Sequence, residues 1–173
     1  MGTKPPLEPY PPDLDEERRE PEGIAGLADA VVDDVDWANV RAPRASVTRA
    51  VLRTVRLTGA ELAEATLRDV TFADCRLDMV GLRLARLERV VFRDCRMEEA
   101  DLYGARLKDV LFEGCTLREA TLSGATLERC ELRGCDLTGL LGAEALAGAR
   151  MPWNDVLENA PLFAAALGIE IVD

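Results

Sequence analysis

A five-residue period governs most of this chain. Counted in steps of five from Leu52 to Leu137, eighteen successive positions are each Leu, Phe or Met. The residue two before each of them, from Ala50 to Cys135, is always Ala, Val or Cys. A helix repeats about every 3.6 residues and a strand every two. A period of five would scatter apolar side chains around every face of a helix, so neither element explains the register.

A second period of twenty lies over the first. Phe72, Phe92 and Phe112 obey it, as do Cys75, Cys95, Cys115 and Cys135, and Val70, Val90 and Val110. A coil of four five-residue sides, each coil stacked on the last, accounts for both periods. Equivalent side chains then form ladders at the strand spacing of roughly 4.8 Å. One large and one small residue from each side point inward and fill a narrow core. The other three face out or turn the corner. Gly59, Gly104, Gly114, Gly124, Gly134 and Gly139 all fall on the fifth position, where a corner needs backbone freedom.

This register resembles the pentapeptide repeat family, whose motif is a small residue, Asp or Asn, Leu, then two variable residues. Ala100-Asp101-Leu102-Tyr103-Gly104 and Cys135-Asp136-Leu137-Thr138-Gly139 match it throughout. The resemblance is firm over 50–139 and weaker over 25–49, where Leu27, Val32, Trp37, Ala42 and Val47 are the centres and Ala25, Ala30, Val35, Val40 and Ala45 the small partners. The Asp/Asn position departs from the motif, for example at Arg76, Thr116 and Thr121, so varied turn types are expected. The resemblance implies an all-β solenoid: a right-handed four-sided β-helix of about 5–6 coils over residues 25–139, roughly 28 Å long. Each coil touches only its neighbours, so the ends need caps.

The flanks differ in character. Residues 1–22 hold six of the nine prolines, seven acids and three bases. Residues 1–24 are therefore expected to form a disordered acidic Pro-rich tail, or one loosely draped on the body. After Leu140 the register fails, and 140–173 reads as a helical cap. A short helix is expected over Ala143–Ala149 and a longer one over Pro152–Leu167, with Asn154 or Asp155 as N-cap and Gly168 as the stop. Pro161 starts a second helix or kinks the first, and Ile169–Val172 reads as a short terminal strand. Trp153, Val156, Leu157, Leu162, Phe163 and Leu167 need a partner surface. They cover the last coil, or they also dimerise the protein, as C-terminal helices do in characterised members of the family.

The chain has no histidine, which excludes every imidazole-based site. Its five cysteines, Cys130 beside the four above, are an odd set that argues against a secreted disulfide scaffold. A column of thiols along a core does not converge on a metal, so cysteine and phenylalanine ladders both read as core packing. No phosphate loop or nucleophile–base pair stands out. The expectation is a non-enzyme with no catalytic residues, cofactor or metal. Residues 1–22 lack the apolar core of a secretion signal, and no run of eighteen apolar residues exists. A cytoplasmic location without membrane contact follows as an expectation.

The formal charge is −11. Residues 1–36 hold eleven acids and three bases, and 140–173 five acids and one base, which leaves sixteen acids and seventeen bases for 37–139. The resemblance implies a candidate role, because some members imitate DNA, bind DNA gyrase or topoisomerase IV, and protect it from quinolones or peptide toxins. A DNA mimic needs an extended anionic surface. The near-neutral body weakens that reading, and one face is slightly basic through Arg68, Arg86, Arg89, Arg106, Lys108 and Arg129. The function expected is a non-catalytic protein-interaction solenoid, with topoisomerase modulation by DNA mimicry as the specific candidate and a scaffold or spacer with an unknown protein partner as the alternative. No direct nucleic-acid binding is expected. Val31, Val51, Val91 and Leu111 point outward on one face, with Met79, Leu84 and Tyr103 next to it. They are either a partner surface or the β-propensity of a flat face.

Overall fold

The structure, a computed structural model, describes residues 4–13 and 23–172. The chain winds into a parallel β-solenoid of about five turns followed by a small helical segment. Strands β1 (Ala28–Asp33), β2 (Ser46–Arg53), β3 (Thr66–Ala73), β4 (Arg86–Arg93), β5 (Arg106–Glu113), β6 (Thr126–Glu128) and β7 (Glu131–Arg133) form one ladder. Each residue pairs with the one twenty further on, as in Val47, Leu67, Leu87, Leu107 and Leu127. The remaining sides join through single bridges, such as Asp36, Arg56, Arg76 and Arg96. The twenty-residue period is therefore one turn of the coil.

Every fifth residue from Asp29 to Gly139 has φ between 48° and 70°. A left-handed residue at each corner redirects the chain without interrupting the coil-to-coil bonds. The six expected corner glycines occupy such positions, but seventeen others carry side chains. The turns do vary. At Leu57–Ala60 and Leu62–Ala65 the fourth residue's amide bonds back to the first carbonyl at 3.0 and 3.1 Å, which with positive φ at the third residue is a type II turn. The corners at Asp69, Arg89 and Asp109 instead lie within strands β3, β4 and β5.

The interior matches the register. Phe72, Phe92 and Phe112 are no more than 2% exposed, and their rings stack with centroids 5.0 Å apart and planes 6° from parallel. Cys75, Cys95, Cys115 and Cys130 are buried and Cys135 is half-buried near the end of the stack. Each thiol donates to a carbonyl of the preceding coil, Cys75 Sγ to Leu52 at 3.4 Å and Cys95 Sγ to Phe72 at 3.5 Å. Burial pushes the Cys130 thiol up to about 11.

Ile24 is fully buried at the N-terminal end. At the other end Leu140, Ala143 and Leu146 are buried, the last two on a 3-10 helix over Ala143–Leu146. That helix is shorter than expected, and its seat depends on Gly142. Its φ is 77°, and a Cβ there would lie 2.3 Å from the Ser123 nitrogen. The chain then rejoins the stack, because Arg150 exchanges 2.9 Å bonds with Cys130 and Leu132.

Helices α1 (Trp153–Glu158) and α2 (Ala160–Ala166) follow, so Pro161 falls in the first turn of a second helix. The N-cap of α1 is Pro152 rather than Asn154 or Asp155. The Asp155 carboxylate accepts the Gly134 amide at 2.6 Å instead. Gly168 does stop α2. The Gly168 and Ile169 amides bond to Ala165 and Ala164 at 3.0 and 2.8 Å, a Schellman closure. The terminal strand expected at Ile169–Val172 does not form, since Leu141 and Arg150 already engage the edge of the last coil.

Residues 4–13 form no helix or strand. Of the two courses expected for 1–24, disorder or a tail draped on the body, they take the second and lie along the outside of the rod, held through backbone amides of Leu7, Tyr10 and Asp13. Residues 1–3 and 14–22 lie outside the described residues.

The stacked rings generate a prediction. Phe92→Ala removes the middle ring and leaves a cavity that coils above and below cannot fill, at a cost of about 3–5 kcal/mol. Urea unfolding measures it, and a loss under ~1 kcal/mol would show that the ladder does not carry the core.

Candidate interaction face

Stacking turns each repeat position into a column along the rod. One corner column alternates in charge: Asp29, Arg49, Asp69, Arg89, Asp109, Arg129. The left-handed backbone at each corner aims these side chains along the rod, and each arginine reaches the aspartate of the preceding coil. Arg89 Nε and Nη2 donate to the two Asp69 oxygens at 2.6 and 2.9 Å. Arg129 repeats this on Asp109 at 2.7 and 2.6 Å, and Arg49 pairs likewise with Asp29. Such forked pairs fix direction as well as distance.

These pairs are unlike the rest of the surface. The Asp69 and Asp109 side chains are only 5% and 1% exposed. Burial pushes the Asp69 carboxyl up, but the Arg89 guanidinium and the Tyr10 amide outweigh it and hold it below the usual range. The Arg129 hydrogen bonds hold Asp109 low against burial. Each aspartate thus stays charged and keeps acceptor capacity for an amide.

Apart from the buried Glu131, which pairs with Arg133 and Arg150 at the last coil, the other outer charges pair largely in the open. Arg41 meets Glu61 at 3.3 Å, Arg56 meets Asp36 at 3.3 Å, and Arg93 meets Glu113 at 2.8 Å. The face expected to be basic is largely neutralised, because Arg68 pairs with Glu88 at 3.2 Å, Lys108 with Glu128 at 3.8 Å, and Arg89 and Arg129 are bound in the column.

The outward apolar residues divide. Met79, Leu84 and Tyr103 are 54%, 55% and 45% exposed, and the Arg83 guanidinium lies 4.5 Å over the Tyr103 ring. Met79 sits half a coil from Asp69, on the diagonally opposite corner. Leu111 is half-buried, and Val91 is 8% exposed, so Val91 is not a free surface as expected. It lies outside the interior cluster, and so is covered from outside. The 4–13 segment, held on Asp109 and Asp69 at the adjoining corner, runs beside the Val91 column.

In the C-terminal segment Leu162 and Phe163 pack against the core cluster and Val156 is half-buried. Trp153, Leu157 and Leu167 stay 71%, 53% and 76% exposed. Among the described residues, no three Cys, Asp or Glu side chains are placed to share a metal ion, and no helix is long and apolar enough to cross a membrane. The Asp/Arg column was legible as a forty-residue period at the fifth repeat position, but corner residues carry no fixed identity in the motif.

A family model described as "Pentapeptide repeat region" matches residues 46–122 and again 65–141, together more than half of the chain. Among solved structures, a trypsin-treated QnrB1, described as a plasmid-mediated fluoroquinolone resistance protein, is 17% identical with a TM-score of 0.45, covering 92% of this chain and 96% of that one. A pentapeptide repeat protein from the Arabidopsis thaliana thylakoid lumen is 16% identical with a TM-score of 0.35, over 76% and 75%. Rfr23 from the cyanobacterium Cyanothece is 18% identical with a TM-score of 0.22, over 76% and 84%. No curated protein matches the chain.

The two kinds of ion pair should behave differently. Asp109→Ala leaves a partly buried arginine without its fork and should cost on the order of 3 kcal/mol, against under ~1 kcal/mol for the exposed Asp33→Ala. Equal losses in urea unfolding would contradict a special role for the column. Because the Asp69 and Asp109 carboxyls are depressed in the folded state, the stability they contribute is present above about pH 4 and is lost as pH falls below it.

Proposed function

Because this chain belongs to the pentapeptide repeat family, we propose that it works as a non-catalytic protein-interaction rod, with DNA gyrase or topoisomerase IV as the candidate partner. The observation that carries the interaction reading is the exposed group of Met79, Leu84 and Tyr103 on neighbouring corners of a rigid surface. The core needs none of these side chains, and a rigid scaffold presents them at low entropic cost. The topoisomerase candidate draws on the family resemblance, within which QnrB1 is described as a fluoroquinolone resistance protein.

DNA mimicry is the narrower form of this reading. The coil-to-coil ion pairs cancel much of the charge of the body, so phosphate imitation falls to corner columns such as Asp34, Asp74 and Asp94. A scaffold or spacer for another protein is the second reading, and the near-neutral, cross-paired body favours it. The exposed Trp153, Leu157 and Leu167 fit a homodimer contact at the C-terminal end.

A supercoiling assay with purified gyrase separates the two readings. Topoisomerase modulation predicts inhibition or quinolone protection at micromolar protein, weakened by Asp74→Lys with Asp94→Lys. No effect of the unaltered protein would leave the scaffold reading. For the dimer, light scattering should give twice the chain mass, falling to one chain in Trp153→Glu with Leu167→Glu. A single-chain mass for the unaltered protein would remove that contact.

A further inference from the structure

Residues 4–13 read Lys-Pro-Pro-Leu-Glu-Pro-Tyr-Pro-Pro-Asp. Their hydrogen bonds to the rod follow a rule of three. The Leu7 amide donates to Asp109 Oδ1 at 3.1 Å, the Tyr10 amide to Asp69 Oδ1 at 3.1 Å, and the Asp13 amide to Asp29 Oδ1 at 3.0 Å. Three residues along the tail thus span forty along the rod, with the tail running opposite to the order of the coils. The exposure pattern has the same period: Pro6, Pro9 and Pro12 are half-buried and every other residue of the segment is exposed.

A period of three is that of polyproline II, which rises about 3.1 Å per residue, or about 9.3 Å per turn. Two coils of the solenoid rise about 9.6 Å. The two repeats agree closely enough for each turn of the tail to find the same atoms. This commensurability gives the alternating column a physical reason. An aspartate on every coil would place acceptors twice as often as a polyproline II turn presents an amide. An arginine on the intervening coils leaves one acceptor per turn and anchors it from the other side.

The tail is made to fit. Between residues 5 and 13 only Leu7, Glu8, Tyr10 and Asp13 have a backbone N–H, and three of those four meet an aspartate. Proline removes the donors that would otherwise need water, and its ring presets the backbone angle. Arg89 adds a face for the Tyr10 ring, 5.4 Å from its centroid.

We propose that the Asp29–Arg129 column and the strand face beside it form a binding track for proline-rich segments in the polyproline II conformation, those with a free amide at every third residue. Residues 4–13 are its resident ligand in cis. The track uses none of Met79, Leu84 and Tyr103, and its tests read peptide binding and amide exchange, so it stands or falls apart from the topoisomerase reading.

Two measurements on the full chain test this. Amide exchange followed by NMR should be at least tenfold slower at Leu7 and Tyr10 than at Glu8, which serves as the internal control. Uniform exchange at all three overturns the proposal. The second uses full-length Leu7→Pro/Tyr10→Pro/Asp13→Pro, which keeps the polyproline II backbone but removes the donors and so vacates the track. A fluorescent synthetic peptide of residues 4–13 should bind this variant at least tenfold more tightly than the unaltered protein. N-methylation of the peptide at Leu7 and Tyr10 should abolish the gain. No binding to the variant, or binding that ignores N-methylation, overturns it.

Discussion

The fold depends on one backbone constraint, a left-handed residue at every fifth position from Asp29 to Gly139. That conformation turns the chain by one side of a square while the amides and carbonyls on either side keep their bonds to neighbouring coils. For a residue with a side chain it costs roughly 1–2 kcal/mol, and seventeen corners carry one. No isolated coil could sustain that. Stacking does, because each added coil contributes inter-coil hydrogen bonds and four inward pairs of large and small residues. The ends are therefore special: Ile24 closes one and Leu140, Ala143 and Leu146 close the other.

Strict stacking inside has a consequence outside. If equivalent residues lie one above another within the core, then every outward position is also a column, and any alternation in sequence becomes an alternation in space. The Asp/Arg corner exploits this. Asp69 and Asp109, buried and forked by their arginines, behave as fixed acceptors rather than as ordinary surface acids. Residues 4–13 of the same chain lie along them. Met79 on the opposite corner, with Leu84 and Tyr103 on the corner after it, is exposed, which makes this the more accessible surface for another protein.

The interior was almost fully legible. The Leu, Phe and Met centres from Leu52 to Leu122, their small partners and the phenylalanine stack lie where the register puts them, because a narrow core leaves no other place for a large side chain at that spacing; Leu127 and Cys135 are half-buried near one end and Ala25 is exposed at the other. The corner glycines were legible for the same reason. The thiol-to-carbonyl bonds of the cysteines were not, since a small buried hydrophobe satisfies the same slot. Legibility also failed where partners come from far along the chain. Asp155 looked like a helix cap until Gly134 proved to be its partner. Val91 looked exposed, because nothing near it in sequence covers it.

Sequence alone determined the period, and the period determined the coil, the core and the corners. This follows because each repeat meets only copies of itself, so local spacing and tertiary contact carry the same information. The tertiary structure decided everything that joins unlike parts: the cap on the last coil, the ion pairs between coils and the course of residues 4–13. A proline-rich segment with free amides at Leu7, Tyr10 and Asp13 has no partner until Asp109, Asp69 and Asp29 are stacked two coils apart. Only the rise of the folded rod makes that distance equal to one turn of the tail.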